Sequence, residues 1–128
     1  MSLKASISVS RFAILAVAAA VVNVVVFFIG QAAHASYSVG SPAPINAVMV
    51  AIATIAPLAV GAFVAHLVGR RGSKALKILA WVGFGFAVIS SPNGWVLSHD
   101  TATGLTLGAM HLIAAFAWLL AVKPGKAA

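Results

Sequence analysis

The stretch RFAILAVAAAVVNVVVFFIGQ, from Arg11 to Gln31, decides the fold. Between its ends the one hydrogen-bonding side chain is Asn23. A helix over it is about 31 Å long at a rise of about 1.5 Å per residue, which matches the hydrocarbon thickness of a bilayer. Three more apolar runs follow, over residues 45–68, 75–91 and 101–122. Hydrophobic residues make up 62% of the 128-residue chain and charged ones 7%, against about a quarter charged in soluble domains. A soluble fold of this size has no interior large enough for so much apolar surface. The expectation is one domain, residues 1–128, forming an all-α integral membrane four-helix bundle with antiparallel neighbours.

The net charge of +7 raises the question of nucleic acid, but the placement of the charges answers it. Lys4 and Arg11 open the first run, Arg70, Arg71, Lys74 and Lys77 lie between the second and third, and Lys123 and Lys126 follow the fourth. Basic residues gather on the cytoplasmic side of membrane proteins, so both termini are expected inside. The basic residues then set topology and touch anionic lipid headgroups, and no nucleic-acid role is expected. The one acid, Asp100, falls on the opposite side. With no cysteine in the chain, disulfides and thiolate metal sites are excluded.

Several features mark where the runs end or bend. Ala33-His34-Ala35 imitates a signal-peptidase site, but the apolar run before it exceeds the usual ~7 to 15 residues, so the first helix is expected to be retained. Pro57 lies inside the second run with Thr54 a turn earlier, and a kink is expected there rather than an ending. Ser91-Pro92-Asn93-Gly94 ends the third run and Lys123-Pro124-Gly125 the fourth.

Lipid rewards little apolar burial, so helices in it associate through small residues and hydrogen bonds. Gly104 and Gly108 stand at GxxxG spacing and are expected to be a packing face. Polar side chains at membrane depth are where function is sought. By helical counting Asn23 lies about 18 Å above the cytoplasmic start of its helix and His111 about 16 Å above the cytoplasmic end of its own. An intramembrane polar site of Asn23, Thr106 and His111 is therefore expected if the first and fourth helices are neighbours, with the His111 ring near Asn23. On the outer side His34, His99 and Asp100 form a candidate divalent-metal set, although Asp100 with Thr101 and Thr103 also reads as a helix cap. His66, near the cytoplasmic boundary, differs in depth from His111, which argues against haem held between them. No cofactor is expected.

The segment Asp100-Thr-Ala-Thr-Gly-Leu-Thr-Leu-Gly-Ala-Met-His-Leu-Ile-Ala-Ala, with Met110-His111 and Thr103 and Thr106, resembles the closing signature of an uncharacterised family of small four-helix membrane proteins found mainly in actinobacteria. The layout of residues 11–122 is similar too. The resemblance implies a bundle in a bacterial plasma (inner) membrane and no assigned activity.

No catalytic constellation is legible, and the connections are too short for a soluble catalytic domain. The expected function is a non-enzymatic accessory or interaction subunit, with membrane lipids and a membrane-protein partner or a second copy as its contacts. The rivals are a small oligomeric transporter or channel using the Asn23, Thr106 and His111 path, and a lipid- or quinone-binding bundle. The topology is tested by cysteine labelling in intact cells. Ser38→Cys and Ser98→Cys should react with an impermeant thiol reagent and Ser73→Cys should not; labelling at position 73 would reverse the assignment.

Overall fold

The computed structural model describes residues 6–39, 43–92 and 100–122. Four helices account for most of them: α1 Val9–Ala32, α2 Ala47–Gly69, α3 Ser73–Ser90 and α4 Thr101–Ala121. All four are long and apolar enough to cross a membrane. The helix bounds fall within two residues of the sequence expectation. The Asn93-Gly94 half of the expected turn, the Lys123-Pro124-Gly125 stop and His99 lie outside the described residues.

The helix starts follow capping chemistry. Ser8 accepts a hydrogen bond from the Arg11 amide at 3.2 Å, and Asn46 accepts one from Met49 at 2.9 Å. Such side chains satisfy amides that have no partner within the helix. Between α2 and α3 only Arg70, Arg71 and Gly72 intervene, and Gly72 turns the chain with φ 110°, a conformation suited to glycine. α2 continues through Pro57 as one helix.

Helix α1 packs between α2 and α4, and α4 packs between α1 and α3, while α2 and α3 meet over much less of their length. Successive helices run in opposite directions, so the described basic residues Arg11, Arg70, Arg71, Lys74 and Lys77 share one end, the basic end. Asp100 lies at the other.

Two clusters hold the interior. At the basic end Phe12, Ala16 and Ala19 of α1 meet Leu58 and Ala65 of α2, Leu76 and Ala80 of α3, and Ala117 and Ala121 of α4. Trp118 of α4 joins them. Its indole N–H donates to the Ala80 carbonyl at 3.0 Å and Phe12 stands edge-on to its ring at 6.0 Å. The ring lies against Gly61 of α2 and Gly83 of α3, and a Cβ at either glycine would overlap it. Toward the Asp100 end, Phe27, Val50, Met110 and Tyr37 form the second cluster. Large apolar side chains such as Phe86 and Ile89 point outward, 74% and 80% exposed, as lipid-facing residues do.

The two glycines of α3 provide an internal control. Gly83 faces Trp118, whereas an added Cβ at Gly85 has nothing within 4 Å. Gly83→Ala is expected to lower stability by about 1 to 3 kcal/mol through overpacking, and Gly85→Ala to be neutral or mildly stabilising. Reversible unfolding in mixed micelles measures both, and equal effects would remove Trp118 as the wedge.

Candidate functional site

At mid-depth Asn23 of α1 is 2% exposed and links three helices. Its Nδ2 donates to Thr54 Oγ1 of α2 at 2.9 Å and to the Met110 carbonyl of α4 at 3.4 Å. The Thr54 hydroxyl donates onward to the Val50 carbonyl at 2.8 Å. Asn23 Oδ1 is buried without a partner among the described residues.

The expected contact between Asn23 and the His111 ring is not made. His111 is exposed, and its Nδ1 lies 3.2 Å from the carbonyl of Leu107 in its own helix. The stripe of α4 that turns inward holds Thr103, Thr106, Met110, Ala117 and Ala121, and His111 lies about 100° around the helix from Met110. Helical counting matched the depths, but Asn23 meets the backbone of residue 110 instead. Thr106 is buried, yet its hydroxyl donates to the Ala102 carbonyl at 2.6 Å, and it borders Gly30 and Tyr37 nearer the Asp100 end. Asn23, Thr106 and His111 therefore do not form one site.

The Asp100 end carries the densest polar assembly. The chain leaving α1 turns through His34 and Tyr37, both with positive φ, and folds down onto α4. Tyr37 is 2% exposed and stacks on Phe27 with ring centroids 4.4 Å apart. Its hydroxyl donates to the Phe27 carbonyl at 2.5 Å. A Cβ at residue 30 would overlap that hydroxyl, so Gly30 permits the close approach. The Tyr37 amide donates to Thr103 Oγ1 at 2.9 Å, and the Thr103 hydroxyl donates to Asp100 at 2.8 Å. Asp100 also accepts from the Thr103 amide at 3.0 Å, the Ser36 amide at 3.3 Å and the Ser36 hydroxyl.

These bonds favour the ionised carboxylate. The Ser36 hydroxyl is the largest cause, desolvation opposes it, and Thr103 and the Ser36 amide add to it, leaving the Asp100 pKa at about 2 against an ordinary 3.8. Burial pushes the Tyr37 phenol up, and the Asp100 charge adds to that rise. In the candidate set of His34, His99 and Asp100, the carboxylate serves Ser36 and Thr103 and His34 is exposed. The capping reading of Asp100 thus describes its observed bonds.

Gly104 is buried and Gly108 half-buried, and both border a groove of about 390 Å³ with Ser91, Pro92, Leu105, Ala109 and Leu112. A Cβ at Gly108 would lie 3.7 Å from the Ser91 carbonyl, so this glycine faces the end of α3. Sequence reasoning missed Trp118 and Tyr37 altogether. For Tyr37 a signal was present, since the only tyrosine sits in an uncharged connection, whereas the two glycines that Trp118 meets lie on other helices and only the fold brings them to it.

Four apolar helices, tied by an intramembrane asparagine and closed at one end by a polar cap, define a small multi-pass helical membrane protein. The chain belongs to a family of unknown function, DUF6069, whose profile matches residues 4–128. Neither a curated protein nor a solved structure matches it.

The pH behaviour of the polar cap follows from Asp100. Its pKa is depressed on folding, so its contribution is present above about pH 4 and lost as the pH falls toward about 2. Asp100→Ala at neutral pH should speed amide exchange at Ser36 and Tyr37 about tenfold, the scale of one lost hydrogen bond. The wild-type advantage should vanish across that acid range, read by NMR in micelles; unchanged protection would separate the loop from Asp100.

Proposed function

We propose that this protein is a non-enzymatic accessory or interaction subunit of a bacterial plasma membrane, oriented with both termini in the cytoplasm. The observation that carries this reading is the packing of Asn23. A transport path needs its polar groups along a passage, whereas Asn23 is 2% exposed and spends its amide on Thr54 and Met110. That is the use of a polar residue as interhelical glue, worth about 0.6 kcal/mol on average. Thr106 likewise bonds within its own helix, and His111 is turned away from both. What the bundle offers to its surroundings is its outer surface.

A photoreactive phenylalanine analogue placed at Phe28, Phe63, Phe86 and Phe116, one exposed site on each helix, tests the reading in native membranes. Cross-links to one protein, concentrated at one or two neighbouring positions, are expected. Lipid adducts alone at all four sites would overturn it. So would solute flux in proteoliposomes that Asn23→Leu abolishes, which would restore the transporter.

A further inference from the structure

Helices α1 and α4 leave a groove of about 550 Å³ at the basic end, lined by Ser10, Arg11, Ile14 and Leu15 of α1 and Leu120 of α4. Small-molecule sites run from about 300 to 1,000 Å³, and this groove falls within that range. Its lining is ordered by depth. Ser10 and Arg11 stand in the first turn of α1, and Ile14 and Leu15 follow one turn deeper on the same side of the helix. Leu120 borders the groove from the last turn of α4. The polar lip is thus at the membrane boundary, and the apolar wall begins about 6 Å further in.

The lip is positive and held in place. Arg11 is half-buried with its Nε shielded from solvent, so the side chain lies along the bundle. A guanidinium presents five N–H groups in a rigid fork that matches two oxygens of a phosphate, so Arg11 can grip one while keeping bonds within the chain. The Ser10 hydroxyl stands 3.3 Å from that of Ser8, whose proton it can accept, leaving its own proton for the same phosphate. Arg70, Arg71, Lys74 and Lys77 lie at this end too, and the only acidic side chain of the chain, Asp100, lies at the other. The field over the mouth of the groove therefore favours an anion that carries no cationic group with it.

We propose that this groove binds one anionic phospholipid, with its phosphate on Arg11 and Ser10 and the upper part of an acyl chain against Ile14, Leu15 and Leu120. A zwitterionic phospholipid offers the same phosphate, but its ammonium group would meet a basic end with no acidic side chain to receive it. A transmembrane helix fits less well, because it needs a groove running the depth of the membrane and this one extends over the first two turns of α1. The site differs from the general attraction of headgroups to basic residues in tying the preference to one arginine beside an apolar wall. It does not depend on the subunit reading, since either can hold without the other.

The test uses the full chain in phosphatidylcholine nanodiscs containing a trace of phosphatidylglycerol whose acyl chain carries a diazirine near its ester. Irradiation and peptide mapping should place adducts at Ile14, Leu15 and Leu120. Their yield should exceed that from a phosphatidylcholine probe with the same chain by about tenfold, the scale of one charge-assisted contact. Unlabelled phosphatidylglycerol should compete, and inorganic phosphate should not. Arg11→Gln should bring the two probes to parity, and Arg11→Lys, which keeps the charge but not the fork, should retain part of the difference. Arg71→Gln, the same loss of charge at an exposed position of the same end, should leave the difference intact. The wild-type comparison of the two probes stands even if a variant fails to fold. Equal labelling by both probes, an Arg71→Gln effect as large as that of Arg11→Gln, displacement by inorganic phosphate, or capture of a protein helix by a photoreactive residue in place of Ile14 would each overturn the proposal.

Discussion

Lipid gives these helices little reward for leaving it, because an alkyl chain is as good a neighbour for valine as another valine. The bundle depends instead on close approach and on the few hydrogen bonds that lipid cannot supply. Trp118 provides both: its ring fills the notches at Gly61 and Gly83, and its N–H reaches the Ala80 backbone. Through it α4 is bound to α3 and touches α2, at the level where Phe12 brings α1 into the same cluster. Asn23 does the corresponding work at mid-depth between α1, α2 and α4. The direct contact of α2 with α3 is slight, and both are held chiefly through α1 and α4.

The four spans were legible because hydropathy and length need no knowledge of partners. Asn23 and the α4 cap were legible for a similar reason: a polar residue in an apolar run, and an acid before a helix start, carry their meaning locally. What the sequence did not contain was azimuth. Counting residues put Asn23 and His111 at matching depths, but which face of α4 turns inward depends on three other helices. That choice fell to the stripe of Thr103, Met110 and Ala117. Trp118 escaped notice because its meaning lies in two glycines, Gly61 and Gly83, dozens of residues away. Gly104 and Gly108, chosen for their spacing, border the end of α3.

The contrast between the two ends is also physical. At the basic end side chains interlock with almost no polar chemistry, and the turn from α2 to α3 takes three residues. At the Asp100 end the order comes from hydrogen bonds. A buried tyrosine with left-handed backbone stacks on Phe27, and its amide is relayed through Thr103 to a carboxylate held ionised by Ser36 and Thr103. A charge used this way stays at the membrane boundary, where water still solvates it.

The relay from Tyr37 to Asp100 also has a direction in time. Ser36 and Tyr37 emerge early in synthesis, yet the carboxylate and hydroxyl they bond to belong to residues 100 and 103. A nascent chain with two or three helices inserted carries these donors with nothing to receive them. The first connection can settle only when α4, made after the three helices before it, crosses the membrane and delivers its N-terminus. Tyr37 thus acts as a latch that closes once α4 is in place, and a protein truncated before α4 would expose an open strap instead of a finished surface, a difference that membrane quality control could read.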